Sequence, residues 1–433
     1  MKKASIVVGL GFGDECKGST VDFLASRNTT KAVVRFNGGS QAAHNVHVGD
    51  KHHTFSQFGS ASLIPGVKTF LSPYMYVNPM ALLNEGFHLQ ELGQYDIFTR
   101  MSIHKDCVVI TPYHRAMNRI LEINRGTDKH GSCGVGFGVA VDNNLNGLSV
   151  NIGDFKSGLA ADKLKEIKKA HLNFLNNTKL SREAFYESLI YDDDNLIEQF
   201  IWDSKIAVDI CNVVDMDYFA DLMGDGSVIF EGAQGALLDE NFGFKPYNTW
   251  STTSNLNALR MLKDIYYDGE VETIGVMRAV GTRHGAGPFP TEDVGLNNIL
   301  NDEHNKSSQW QDNFRFGYLD LPLMKYAIDT INNNSHLSSK INCKVSSLSI
   351  SCLDQFHQLP VKKVCVDHTG YKNLPPYKAI GGSSVNYIND VIPVFEEMNT
   401  DVVPFIESRL GVDVGVISRG KDRSNRIMLD KRG

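Results

Sequence analysis

The stretch Ser5-Ile-Val-Val-Gly-Leu10, running directly into Gly11-Phe-Gly-Asp-Glu-Cys-Lys-Gly18, constrains this chain more than any other. A continuous apolar, β-rich run reads as a strand covered on both faces, and residues 19–26 behind it have helical spacing. Strand, glycine turn and helix in that order open a parallel α/β sheet. Ala32-Val-Val-Arg-Phe36 reads as the next strand and also meets glycines, at Gly38 and Gly39. Residues 227–230, 273–280, 346–351 and 414–418 are further buried-strand candidates, and functional sites of such sheets gather at strand carboxyl ends. Residues 162–177 form a lysine-rich amphipathic pattern suited to a surface helix. No internal repeat or low-complexity linker interrupts the 433 residues. The expected architecture is α/β: a large, mostly parallel central sheet with flanking helices and peripheral helical subdomains, forming one domain over 1–433.

A net charge of −7 and the lack of a basic run interleaved with aromatics argue against a nucleic-acid or membrane-surface protein. Free nucleotides need only a local positive site. The seven cysteines contain no CxxC pair, which fits reduced thiols in the cytoplasm and no zinc site. The apolar run near the N-terminus is too short for a secretory core, and no stretch approaches the ~20 residues of a membrane span.

The glycine turn suits a polyphosphate. Backbone amides and the positive helix end point at the same place, and Lys17 adds a point charge. It is not a GxxxxGK[ST] loop, because an acid stands where that loop is neutral. Read alone, such a turn is equally an ordinary βα connection. Asp14 tips the balance: a carboxylate in a phosphate cradle is repelled by its ligand unless it holds Mg²⁺ or accepts a proton.

Seven ordered segments carry a resemblance. Gly13-Asp-Glu-Cys-Lys-Gly18 is similar to GDEGKG, with Cys16 for a glycine, and Arg35-Phe-Asn-Gly-Gly-Ser-Gln-Ala-Ala-His-Asn45 to RxxGGxNAGHT. Gly131-Ser-Cys-Gly-Val-Gly136 is similar to GTTGRG, and Phe230-Glu-Gly-Ala-Gln-Gly-Ala-Leu-Leu-Asp239 to FEGAQGxLLD. Thr282-Arg-His-Gly-Ala-Gly-Pro-Phe-Pro-Thr-Glu292 is similar to TRVGxGPFPTE, Ser351-Cys-Leu-Asp354 to TKLD, and Ser418-Arg-Gly-Lys-Asp-Arg423 to STGPDR. Together the chain resembles the adenylosuccinate synthetase family over essentially its whole length.

The resemblance implies a GTP-dependent ligase that phosphorylates the 6-oxo group of IMP and replaces it with the amino group of aspartate, as a homodimer using Mg²⁺. It implies Asp14 as the base at purine N1, His44 as the acid at the transferring phosphoryl, and Gln234 as support for charge on O6. Asp14 and the Ala43 carbonyl would hold the metal. GTP would lie against Gly13, Asp14, Glu15, Cys16, Lys17, Gly18, Ser19, Ala43, His44 and Asn45, with its base at Cys352, Leu353, Asp354, Ser418, Arg419 and Gly420. One Asp carboxylate can accept from the two adjacent donors of guanine, which adenine lacks. Gln41, Ser132, Cys133, Gln234 and Thr249 would meet the substrate nucleotide.

Departures from the pattern bear on substrate choice. The aspartate-binding loop aligns with residues 308–315, where the clamping arginine falls near Asp312, leaving Arg283 and Arg315 as carboxylate partners. No arginine occurs at 146–148, where the family's partner-subunit arginine holds the 5′-phosphate. Phe55-Ser-Gln-Phe-Gly-Ser-Ala-Ser62, Asn248-Thr-Trp-Ser-Thr-Thr253 and Arg283-His-Gly285 are similar to a phage branch acting on dGMP, which lacks the acid at position 14. Asp14 therefore favours IMP. The alternatives are the same chemistry on dGMP or with another amino acid, and an inactive GTP-binding paralogue, which would have no need of a proton acceptor.

Overall fold

Apolar β-branched runs build the middle of a ten-stranded sheet. The computed structural model describes residues 2–126, 131–224, 226–300, 302, 314–334, 341, 344–370 and 388–430. Its strands are β1 (Lys3–Gly9), β2 (Thr30–Arg35), β3 (Lys68–Leu71), β4 (Met101–His104), β5 (Asn212–Val214), β6 (Ser227–Gly235), β7 (Glu270–Arg278), β8 (Val345–Ser351), β9 (Val414–Ser418) and β10 (Arg426–Met428). Their spatial order is β10-β9-β8-β7-β1-β6-β2-β3-β4-β5. Every pairing is parallel except β9 with β10.

β1 is the centre. Ile6 lies in register with Phe230 of β6 and Thr273 of β7, and Ala4, Ile6, Val7 and Val8 are wholly buried. A strand covered on both faces cannot alternate polar and apolar residues, which is why its sequence reads as an unbroken apolar run. All six strands expected from the sequence occur, one (414–418) with both ends as expected and the others with ends shifted by up to five residues. β3, β4, β5 and β10 were not anticipated.

Between β4 and β5 the chain leaves the sheet and forms the helices Pro112–Arg125, Phe137–Leu145, Ile152–Ser157, Ala160–Leu175, Arg182–Ser188 and Leu196–Ile210. Helix Pro112–Arg125 begins at a capping box on Thr111 with Pro112 in its first turn, so its orphan amides are satisfied where the chain turns. Helix Ala160–Leu175 is the expected lysine-rich one. It turns Leu164, Ile167, His171 and Leu175 inward, a spacing of three and four. This helical layer has its own apolar core, in which Tyr113, Met117, Ile120, Leu164, Ile167 and Phe200 pack together and extend onto Leu71, Met101 and Ile103 of the sheet. Among the described residues, no helix is long and apolar enough to cross a membrane.

Candidate active site

The carboxyl ends of β1, β2, β6, β7 and β8 converge on one cavity of about 1440 Å³, walled on the far side by the helical layer. A pocket for one drug-sized ligand measures roughly 300–1,000 Å³, so this one has room for more than a single small molecule. Gly13, Asp14, Cys16, Lys17, Gly18 and Ser19 line it, as do Gln41, Ala43, His44, Asn45, Ser132, Cys133, Gln234, Thr249, Arg283, Cys352, Asp354 and Gly420.

The turn after β1 is organised from inside by Glu15. Its Oε1 accepts from the amides of Gly11 (2.9 Å) and Gly13 (2.8 Å), and its Oε2 pairs with Lys17 Nζ at 2.6 Å. The Glu15 side chain therefore faces the turn and not the cavity, contrary to the expectation that it meets the nucleotide. Gly18 lets the following helix approach the His44 strand. A Cβ there would stand 2.5 Å from His44 Cβ and 2.6 Å from Ser60 Oγ. Gly18→Ala is expected to cost about 1–3 kcal/mol of stability, as overpacking does. Urea melts of the two proteins check this, and a midpoint equal to wild type would mean that helix and strand can part without strain.

Five described non-glycine residues have positive φ, and four of them line this cavity: Asp14 (60°), Cys16 (69°), Gln234 (62°) and Cys352 (59°). Backbone held in the left-handed region costs stability and concentrates where side chains must be aimed. Asp14 is the one carboxylate among the four. Burial, then the Glu15 charge, raise its pKa to about 6, with Arg278 and Lys17 pulling the other way. A carboxylate titrating near 6 is suited to accept a proton at neutral pH.

His44 is aimed by Glu231. His44 Nδ1 lies 2.5 Å from Glu231 Oε1, and the Glu231 carboxylate also accepts from the Ser60 amide at 2.9 Å and from the Ser60 hydroxyl. Glu231 is fully buried and sits in register with the fully buried Arg35 of β2. Burial alone would raise the Glu231 pKa, but Arg35, His44 and Ser60 together hold it down, at about 2. Burial pushes the His44 pKa down, against the pull of Glu231. Burial thus favours the neutral imidazole and Glu231 the imidazolium, and with Nδ1 held by the carboxylate, Nε2 is the nitrogen left to exchange a proton.

Several polar atoms in the cavity wall lack protein partners. Gln234 Nε2 donates to Thr249 Oγ1 at 2.9 Å, while its Oε1 is buried without a hydrogen bond. Both amide atoms of Gln41 are in the same condition. Buried polar atoms of this kind cost about 1–3 kcal/mol each, and a polar ligand would satisfy them. Ser132 accepts from Asn118 Nδ2 at 3.0 Å, and Cys133 lines the wall beside it. Ala43 and Asp14 both border the cavity, and a hard cation taking oxygen ligands there would offset the burial that raises the Asp14 pKa.

At the other end, Asp354 and Cys352 face the cavity but Leu353 is a core residue packed beneath the sheet. Ser418 is buried and donates to the Gly420 carbonyl, and Arg419 is exposed. These three side chains therefore do not line the base end as expected. Lys421, Asn425 and Arg426 do so in their place.

The two arginines assigned to the amino acid are largely committed elsewhere. Arg283 donates to the carbonyls of Ala286, Pro288 and Tyr247, and its guanidinium lies 4.1 Å from the Phe12 ring centroid. Arg315 donates to the Gly285 and Gly287 carbonyls and pairs with Glu292 at 2.6 Å, away from the cavity lining. Both brace the 285–288 loop. Arg283 still borders the cavity, and burial and the Arg315 charge press its pKa down to about 9, so an anion beside it would relieve strain on that charge. Of the aligned residues 308–315, residues 308–313 lie outside the described residues.

Sequence reasoning missed Arg278, at the carboxyl end of β7. It is buried, lines the cavity, donates to the Asp14 carbonyl (3.3 Å) and to Gln355 Oε1 (2.7 Å), and faces Asp302. Its signal was a cation directly after the apolar run Ile274–Met277. Glu231 was also missed as the partner of His44; a lone acid inside the apolar start of β6 was the available clue.

A family model described as adenylosuccinate synthetase matches residues 6–427. Adenylosuccinate synthetases from Tolumonas auensis and Teredinibacter turnerae are each 30% identical, with 99% of either chain covered. The structure of fully ligated adenylosuccinate synthetase from Plasmodium falciparum aligns with a TM-score of 0.77 at 20% identity, covering 98% of this chain and 99% of that one. The cyanophage S-2L succinoaminodeoxyadenylate synthetase, PurZ, bound to dGMP and dATP as an energy donor, aligns with a TM-score of 0.62 at 14% identity, covering 100% and 97%. With its sheet, its glycine turn and 422 consecutive residues within the match (6–427), the chain belongs to the adenylosuccinate synthetase family.

Proposed function

We propose that this chain is a carbon–nitrogen ligase that joins the amino group of aspartate to C6 of IMP, converting GTP to GDP and phosphate and yielding adenylosuccinate. The observation that carries the reading is Asp14, a carboxylate on a left-handed turn at a helix start, with a pKa raised to about 6, facing the cavity that His44 and Gln234 also face.

The residues divide the chemistry. Ionised Asp14 accepts the N1 proton, which moves electron density onto O6. O6 attacks the γ-phosphoryl, GDP leaves, and Lys17 with the turn amides steadies the charge on the phosphates. His44 first takes a proton from solvent at Nε2, giving an imidazolium that Glu231 stabilises, and Nε2–H then donates that proton to the phosphoryl oxygens. The aspartate amine then displaces phosphate from C6. Gln234 positions the purine, and Asp354 favours guanine as the donor base. Asp14 and the Ala43 carbonyl would hold Mg²⁺, which would supply neutralisation of phosphate charge when bound. The protein is proposed to act as a homodimer in the cytoplasm.

Because Asp14 must be ionised, kcat/KM is expected to fall about tenfold per pH unit below about 6 and to level off above it. A profile flat from pH 5 to 8 would remove Asp14 from the proton-accepting role.

A second reading, the same reaction on dGMP, draws support from the fold shared with PurZ, whose structure holds dGMP. Phosphate release measured over GTP or ATP, IMP or dGMP, and a set of amino acids separates the readings. Release with GTP, IMP and aspartate supports the first, and release confined to dGMP supports the second. GTP binding without release for any pair would leave only a binding protein.

A further inference from the structure

Cys16 and Cys352 stand next to one another although 336 positions separate them in the chain. Their Sγ atoms are 4.0 Å apart, and each residue is the N-cap of a helix, Lys17–Arg27 and Leu353–Gln358 respectively. Both hold the left-handed conformation, with φ and ψ of 69° and 36° for Cys16 and 59° and 36° for Cys352. For a residue with a Cβ that conformation is strained. Neither thiol is tucked into the apolar core; both border the cavity, with Arg278 and Arg426 beside them. Of the six described cysteines, Cys107, Cys211 and Cys365 are buried, and Cys133 lines another part of the wall.

We propose that Cys16 and Cys352 form a thiol-oxidation site, at which a peroxide or a small-molecule disulfide links them and so closes the cavity to nucleotide. With hydrogen peroxide, one thiolate attacks an oxygen, the O–O bond breaks, and a sulfenic acid and water result. The second thiolate attacks that sulfur, the S–O bond breaks, and hydroxide leaves as water after protonation. Two thiols and one peroxide thus give one disulfide and two waters, the two electrons passing from sulfur to peroxide oxygen. An S–S bond is about 2.05 Å long, so the helix starts need to approach by roughly 2 Å. One end of the bridge adjoins Lys17 and the other lies two residues before Asp354. It therefore pins the phosphate turn to the base end. The loss of nucleotide binding rests on the ligase reading; the linkage itself does not.

The test uses the full chain, reduced and then exposed to hydrogen peroxide or oxidised glutathione, with and without Mg²⁺ and GTP. Free thiols are alkylated and peptides are analysed by mass spectrometry. A Cys16–Cys352 cross-linked peptide that dithiothreitol reverses is expected, forming at least about tenfold more slowly with GTP present. Oxidised protein is expected to bind GTP at least about tenfold more weakly and to recover on reduction. Cys352→Ser should lose the cross-link, and its GTP affinity, compared with its own untreated value, should no longer respond to oxidant. Recovery of both thiols alkylated after oxidation, or linkage of Cys16 to a different cysteine, overturns the site. A Cys16–Cys352 bridge that leaves GTP affinity unchanged overturns the closure. Failure of the reduced protein to bind GTP overturns the ligase reading and leaves the thiol pairing standing.

Discussion

Replacing Asp14 by asparagine is expected to lower turnover by about 10²–10⁴-fold, the range a general base supplies, without unfolding the protein. Asparagine keeps the shape of the side chain and tolerates left-handed backbone, so the turn at φ 60° has no new reason to rearrange. It removes a carboxylate that burial already disfavours, so thermal stability near pH 7 is expected to stay level or rise slightly. Phosphate release beside a thermal melt makes the measurement. Turnover within about tenfold of wild type would show that another group takes the proton.

The second large effect is expected at Glu231. Alanine there would leave the fully buried Arg35 beside a vacancy, and breaking a buried charge arrangement from one side costs about 3–5 kcal/mol. Glutamine separates structure from chemistry. It keeps a polar side chain near the Ser60 amide but loses the charge that stabilises an imidazolium at His44. Glu231→Gln is expected to lower kcat more than tenfold with a smaller stability loss than alanine. The pH dependence has a definite sign. The folded pKa is held near 2, below the usual 4.5, so the contact contributes fully above about pH 4.5 and is lost as pH falls toward 2. Urea melts from pH 3 to 7 should show that slope in wild type and a flatter one in Glu231→Gln. Equal slopes would mean that Glu231 is not the group being titrated.

Both predictions concern residues within motifs that can be read from the chain, yet only one of their roles could be. Asp14 was legible because a carboxylate in a phosphate turn demands an explanation. Glu231 was not, because its meaning depends on His44 and Ser60 arriving from elements nearly two hundred residues away. The strands β1, β2, β6, β7 and β9 were legible because burial on both faces writes an apolar run, and β8 because serines alternate there with apolar residues. β3 and β4, at four residues each, and β5 and β10, at three, are too short to impose a period. Arg283 and Arg315 show a different limit. Sequence supplies their charge, but only coordinates reveal that backbone carbonyls already occupy much of each fork.

The reacting turn and the wall opposite it rest on separate foundations. Asp14 and Gln234 hang from strands whose side chains pack into the sheet's own core, whereas Met117, Asn118, Asn143 and Asn146 come from helices packed chiefly on one another. A change of shape on the helical side can therefore be absorbed there without disturbing the groups proposed to handle the proton. Such an arrangement lets one chemistry be re-fitted to different purine nucleotides by remodelling a single layer.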